Sequence, residues 1–466
     1  MSGCPKVASR HDNDGCTPSG SIKKTHYKRD TMKDLHLETP DDSKKRLRKV
    51  AAATIVGSML EWYDFYLYAT MASIVFSKIF FDTSNPTNAT LQAFATFAIG
   101  FVARPVGGIF FGYFGDKYGR KKMLFVTFCL MGLCTTAIGL IPTYASIGFW
   151  APLLLVLIRI VQGLGAGAEL AGAAVTSYEH AAENRKGRQG SWPALGLNLG
   201  LLLSSLTVYL LTMAGDRFLL AGGWRIPFLL SFVLVLVGMW VRKSLPETPE
   251  YASFEESHRQ EKPIRDLLAS HLKGLGVVFF IAVGYNAISY IFKTFSLAYL
   301  TQFKGVSANV TSLSVTLASL VAIVTVPLFG WMCDKFSSKK VLMVGGILSA
   351  LFAYPFLSLL GTGNSQLIYW AMVIGTGVLA PMMFAPQGSF LSRQFPVQSR
   401  STGVGSGREI GTALAGGLAP LWALSMVAQS ATHATGGVVV ILVCSGLMVA
   451  IATLFDQGRR FGSHKN

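Results

Sequence analysis

The segment Gly112-Tyr-Phe-Gly-Asp116-Lys117-Tyr-Gly119-Arg120-Lys121-Lys122 stands between two long apolar runs. Charges packed this tightly cannot lie in hydrocarbon, so the segment is a short loop at a bilayer surface, flanked by two spans. The chain repeats the pattern more weakly at Gly330-Trp-Met-Cys-Asp334-Lys335-Phe-Ser-Ser-Lys339-Lys340. Gly112 and Gly330, Asp116 and Asp334, Lys121 and Lys339, and Leu124 and Leu342 share one offset along the chain. A constant offset implies two related halves, each with a charged turn after its second spanning helix.

Composition narrows the class. Only 14% of the 466 residues are charged and 51% are hydrophobic, whereas a soluble domain carries about 25% charged residues. Apolar runs of about 20 residues recur, each long enough to cross a bilayer. Together these exclude a large soluble helical protein. A net charge of +17 would suggest nucleic acid in a soluble chain. Here the basic residues sit in the tails and in alternate loops, where they set orientation, and no nucleic-acid partner is expected. Six cysteines (Cys4, Cys16, Cys129, Cys134, Cys333 and Cys444) form no CxxC pair and lie near no histidine cluster. Neither a disulfide framework nor a metal site follows.

Residues 1–47 are polar and basic, with no apolar h-region, and read as a disordered cytoplasmic tail. Met32 is a second candidate start. Twelve spans are predicted, at roughly 50–80, 91–114, 122–142, 149–178, 189–213, 223–243, 272–302, 308–332, 340–360, 366–391, 402–427 and 435–456. The first six form an N-terminal bundle over 48–243 and the last six a C-terminal bundle over 272–456. Between them, 244–271 is a linker containing Leu245-Pro-Glu-Thr-Pro249 and a charged surface helix, and 457–466 is a second tail. Basic residues crowd alternate loops (Lys117 to Lys122, Arg185 to Arg188, Lys335 to Lys340), while the other loops hold almost none beyond Arg217 and Lys304. The positive-inside rule therefore puts both termini in the cytoplasm.

Ionisable groups within spans are costly and usually face a cavity or a partner. Helix 1 carries Glu61 and Asp64, three apart and on one face with Gly57 and Tyr68. Two close carboxylates in low dielectric do not both ionise cheaply, which suits reversible protonation. The alternative is that they pair with basic residues on neighbouring helices and only hold the bundle. Helix 4 carries a stripe of Arg159, Gln162, Ala166, Glu169 and Ala173. Arg159, with its planar fork, either binds an anionic substrate or pairs with Glu61, Asp64 or Glu169. On helix 7, Asn286, Ser289, Tyr290 and Lys293 share a face. Lys293 is then a substrate-site cation, or it lies nearer the outer end and snorkels to the interface. On helix 11, Arg408 and Glu409 sit about 100° apart, so one faces the cavity while the other meets a neighbouring helix. Gln387, between Pro381 and Pro386, is a weaker polar candidate on helix 10. Arg104, followed by Pro105 and Gly107-Gly108, reads as a packing and kink element. No GxxxxGK[ST] is present, so ATP-driven transport has no support, and no nucleophile stands beside a base.

These motifs resemble the major facilitator superfamily: its signature loop in 112–124 and its fourth-helix motif in Arg159 to Gly167. Glu61-Trp-Tyr-Asp-Phe, Ala103-Arg-Pro-Val-Gly-Gly, Gly163 to Glu169 and Gly223-Trp-Arg-Ile-Pro-Phe are similar to the metabolite–proton symporter branch. That branch includes carriers of shikimate, α-ketoglutarate, citrate, and proline or betaine. The resemblance covers about residues 48–456. It implies an all-α membrane protein of twelve transmembrane helices in two six-helix bundles, working by alternating access around a central cavity. It also implies a gate latch made by Asp116, Lys117, Gly119, Arg120 and Lys121, echoed by Asp334 and Lys335. Ser337 and Ser338 replace the Gly-Arg of the pattern, so the second latch is expected to be the weaker.

The expectation is a proton-coupled uptake symporter for a small organic anion, a mono- or dicarboxylate, in a bacterial inner membrane. It is not an enzyme, needs no cofactor beyond the proton gradient, and works in the lipid bilayer as a monomer. Glu61, Asp64 and Glu169 are the proton-coupling candidates. Arg159, Gln162, Tyr68, Asn286, Tyr290, Lys293 and Arg408 are the substrate-binding candidates. One rival is a symporter of a zwitterionic osmolyte; the chain's end at Asn466, soon after helix 12, weighs against it. Another is a nutrient sensor with transporter architecture that signals through residues 1–47.

Overall fold

The computed structural model describes residues 40–82, 84–108, 110–111, 120–167, 177–178, 181, 185–243, 271–396 and 400–458. The chain divides into two compact units, Met1–Lys45 and Arg46–Asn466, and the second holds the helical bundle. Helix α1 runs over 40–79, α2 over Pro86–Gly108, α3 over Arg120–Ile138, α4 over Trp150–Ala166, α5 over Lys186–Met213 and α6 over Arg225–Lys243. Then come α7 over Leu272–Phe303, α8 over Ala308–Phe336, α9 over Ser338–Gly361, α10 over Ser365–Ser392, α11 over Thr402–Gln429 and α12 over Gly436–Leu454. Eight of these are long and apolar enough to cross a bilayer, or nine if the bent pair Asp216–Gly223 and Arg225–Trp240 counts as one span; α3 and α4 hold shorter apolar stretches. Large apolar side chains such as Val324, Leu351 and Trp370 face outward, as a hydrocarbon solvent allows.

Helix α1 begins at Pro40, inside the stretch read as a polar tail. Proline suits a first helical turn, where no amide donor is needed. Apolar periodicity cannot register such a polar extension. The linker 244–270 lies outside the described residues.

Helix pairings repeat between the halves. Helix α3 packs on α6 as α9 packs on α12, and α2 on α4 as α8 on α10. Across the seam, α2 meets α11 and α8 meets α5, which is one pairing made twice by corresponding helices. Hydrogen bonds tie the seam at both ends. Gln302 Nε2 donates to the Ser73 carbonyl at 3.3 Å and the Thr212 and Ser312 hydroxyls meet at 3.4 Å. At the other end, the amide nitrogens of Gly187 and Arg188 donate to Asp334 at 2.6 and 3.1 Å.

Small residues set how closely helices approach. A Cβ on Gly163 would lie 2.1 Å from the Gly100 carbonyl oxygen, and one on Gly107 would lie 1.9 Å from that of Leu164. Gly163→Ala is therefore expected to push α4 off α2 and to destabilise the protein by about 1–3 kcal/mol. Gly276, where an added Cβ would meet nothing within 4 Å, is the control. A detergent melting curve checks it: equal melting of Gly163→Ala and Gly276→Ala would refute the packing argument.

Candidate functional site

A cavity of about 260 Å³ lies on the seam between the halves. Trp62 and Tyr66 of α1 line one side; Tyr285, Asn286, Ser289 and Tyr290 of α7, Phe384 of α10, and Arg408 and Thr412 of α11 line the other. Among the described residues, no carboxylate is in the lining. The rings pack in pairs, with Tyr285 stacked on Phe384 at 4.9 Å and Tyr66 at 6.4 Å from Tyr290. Asn286 Nδ2 donates to Thr412 Oγ1 at 3.1 Å, which joins α7 to α11. Arg408 lies over the Phe384 ring at 5.2 Å.

Lys293 sits beside this cavity. Its Nζ donates to Tyr66 Oη and to Ser289 Oγ, both at 3.0 Å. Only 2% of it is exposed, so the snorkelling alternative is wrong. It lies in a widened helical turn, Ile291–Phe295. Such a turn shifts the register of the following residues and aims side chains that a regular helix would send elsewhere. Periodicity alone could not show this.

Arg159 is fully buried in α4. Its Nη1 donates to Gln162 Oε1 at 2.5 Å, and Gln162 Nε2 donates onward to Thr135 Oγ1 at 2.7 Å. The guanidinium lies 3.9 Å from the centre of the Tyr68 ring, and Tyr68 Oη meets Thr96 Oγ1 at 2.5 Å. Gly100 makes room for it, since a Cβ there would lie 2.8 Å from Arg159 Nη2. Arg159 Nε and Nη2 have no hydrogen-bond partner among the described residues. The ion pairs foreseen for Arg159 with Glu61 or Asp64 are not formed; Glu169 lies outside the described residues.

Glu61 Oε1 instead accepts from Arg104 Nη2 at 2.9 Å. Arg104 is fully buried and lies over Phe65 at 4.2 Å, Phe101 at 5.0 Å and Trp62 at 5.5 Å. Its reading as a packing and kink element was therefore too modest. A charged residue inside an apolar span was signal enough to look for its partner. Asp64 Oδ1 accepts from Ser231 Oγ at 3.1 Å. Glu61, Asp64 and Ser231 share a second cavity of about 240 Å³, walled by Phe128, Met131 and Leu234. Glu409, one residue from Arg408, is absent from the central lining and 5% exposed. Gln387 is buried and donates to the Met383 carbonyl.

Of the latch residues, Asp116, Lys117 and Gly119 lie outside the described residues. Arg120 and Lys121 open α3, and their side chains are likewise outside. Asp334 caps the start of α5, as given above. Lys335 takes no part in that contact and lies over the Trp331 and Phe336 rings at 5.2 and 5.4 Å.

Comparison with known proteins places this geometry. Residues 54–420 and 278–460 match the Major Facilitator Superfamily. The inner membrane metabolite transport protein YhjE of Escherichia coli (strain K12) is 38% identical over 389 residues, covering 82% of this chain and 88% of the relative. The shikimate transporter of the same organism is 35% identical, covering 83% and 90%. Its alpha-ketoglutarate permease is 36% identical, covering 83% and 89%. Among solved structures, a D-xylose–proton symporter superposes with a TM-score of 0.68 at 18% identity, covering 87% of this chain and 96% of that one. This last likeness concerns the fold alone.

Proposed function

Because the chain belongs to the major facilitator superfamily, a family of transporters and not enzymes, we propose that it carries a small organic anion, a mono- or dicarboxylate, together with protons. The carrying observation is the central cavity: Arg408 lines it, Lys293 bonds to two of its lining residues, Tyr66 and Ser289, and no carboxylate among the described residues lines it. Two cations that form no ion pair among the described residues suit a ligand that brings its own negative charge. Lys293 also bonds across the seam to Tyr66. An anion drawing Nζ away would break that bond, so binding would alter how the halves meet. Glu61, Asp64 and Glu169 are the proposed proton carriers. The proposed orientation puts the basic loops and both termini in the cytoplasm.

Uptake of labelled shikimate, α-ketoglutarate and betaine into proteoliposomes, with and without an imposed pH gradient, tests this. The reading expects accumulation of an anion that collapses with the gradient. Accumulation indifferent to the gradient would end the proton-coupled reading. Betaine is included because the aromatic wall of Trp62, Tyr66, Tyr285 and Tyr290 suits a quaternary ammonium, and a relative, the proline/betaine transporter of Salmonella typhimurium, is 31% identical. Accumulation of betaine alone would favour that second reading.

In the same assay Arg159→Lys is expected to lower uptake about 30-fold, the equivalent of the ~2 kcal/mol of a desolvated cation–π contact. Lysine keeps the charge but cannot both lie flat on Tyr68 and bond Gln162. Wild-type uptake in this variant would show that only the charge matters.

A further inference from the structure

Glu409 is 5% exposed, and neither of its carboxylate oxygens has a hydrogen-bond partner among the described residues. An ionised carboxylate without donors is among the costliest groups to bury. The neutral acid is far cheaper. Arg408 turns to the central cavity, so Glu409, about 100° further round α11, meets a different neighbour. About two turns further along α11, Gly416 packs on Phe101 of α2 and Gly417 on Ala98, so the two helices run antiparallel there. Continuing this register puts Gly107 of α2 opposite Glu409 and Arg104 about one helical turn away, opposite Thr412. The charges that bear on Glu409 are the guanidinium groups of Arg104 and Arg408. Arg104 has one nitrogen on Glu61 and two, Nε and Nη1, with no partner among the described residues.

We propose that Glu409 is a proton-carrying acid on the seam between the halves, neutral in this arrangement, and that Arg104 is its counter-ion once the proton leaves. The proton passes to water reaching the seam as the halves part. The carboxylate left behind then competes with Glu61 for Arg104. Proton occupancy of a C-terminal-half residue would thus set the partner of an N-terminal-half cation, linking protonation to the contact between halves. This rests on the proton-coupled reading above and adds to it a carrier on the opposite half.

Infrared difference spectroscopy of the full-length protein in liposomes tests it, reading the carbonyl band of neutral carboxyl groups. The wild type is expected to show a neutral-carboxyl band at neutral pH that Glu409→Gln removes and Glu409→Asp retains at a shifted frequency. Glu61→Gln releases Arg104 towards Glu409 and is expected to weaken that same band at least about twofold, measured as the difference between E61Q and E61Q/E409Q. A band unchanged in E409Q overturns the proposal, and so does an undiminished Glu409 band in E61Q. Melting curves show which variants are folded, and E409D supplies the readout if E409Q is not. The outcome is separable from the uptake assay: gradient-independent uptake by the wild type defeats proton coupling whatever the spectra show, while an absent Glu409 band leaves coupling through Glu61 or Asp64 standing.

Discussion

Replacing Lys293 with methionine is expected to lower anion uptake about 100-fold while leaving the protein as stable as before, or more so. The two effects share one cause. Lys293 is 2% exposed, its hydrogen bonds go to the neutral hydroxyls of Tyr66 and Ser289, and it forms no ion pair among the described residues. A buried ammonium held only by hydroxyls is costly, and a methionine of similar length fills the same space without that cost. On the proposed reading the anion loses a cationic partner, and removing one member of a buried hydrogen-bonded charge pair costs about 2–5 kcal/mol. Uptake in proteoliposomes and melting in detergent measure both quantities. A variant that melts lower and still transports within threefold of wild type would make Lys293 a structural residue and remove the main support for an anionic substrate.

The second large effect falls on stability. Arg104→Gln removes the cation 2.9 Å from Glu61, and breaking a buried ion pair from one side costs about 3–5 kcal/mol because the other charge stays behind. Folded yield and melting temperature should drop sharply. In Glu61→Gln/Arg104→Gln neither member of this pair is left behind as a lone charge, so the double variant should recover at least half of the loss. It should not recover all of it, because Arg104 also covers the faces of Phe65 and Phe101. A double-mutant cycle separates the two parts. If the double variant melts as low as the single one, the aromatic contacts hold this region and the ion pair does not.

Which charges of the candidate site would be buried was legible in the order of residues alone. Charged side chains inside apolar runs point to a cavity or a partner, which singled out Glu61, Asp64, Arg159, Lys293 and Arg408; all of them are buried. Which partner each one takes was not legible. Glu61 found Arg104, a residue read as a kink element, while Arg159 went to Gln162, on its own helix, and Tyr68. Sequence spacing reports which residues share a helix face, but pairing depends on the rotation of two helices about their axes. Lys293 was ambiguous for a related reason. A widened turn in α7 alters where the face points, and apolar periodicity averages over such a turn.

Apolar run length, the repeated charged turn and the alternation of basic loops already define a two-half, all-helical membrane chain and the helices that carry its charges. These are properties of a linear string, because the bilayer acts on each segment separately. Packing in three dimensions was needed to establish that α2 meets α11 as α8 meets α5, that Arg408 lines a cavity whose Tyr66 and Ser289 hold Lys293 and which among the described residues has no carboxylate in its lining, and that Glu409 is absent from that lining. Those facts come from close packing across the seam, where glycines fix the distance between helices and a fraction of a turn of rotation about a helix axis changes which side chains meet.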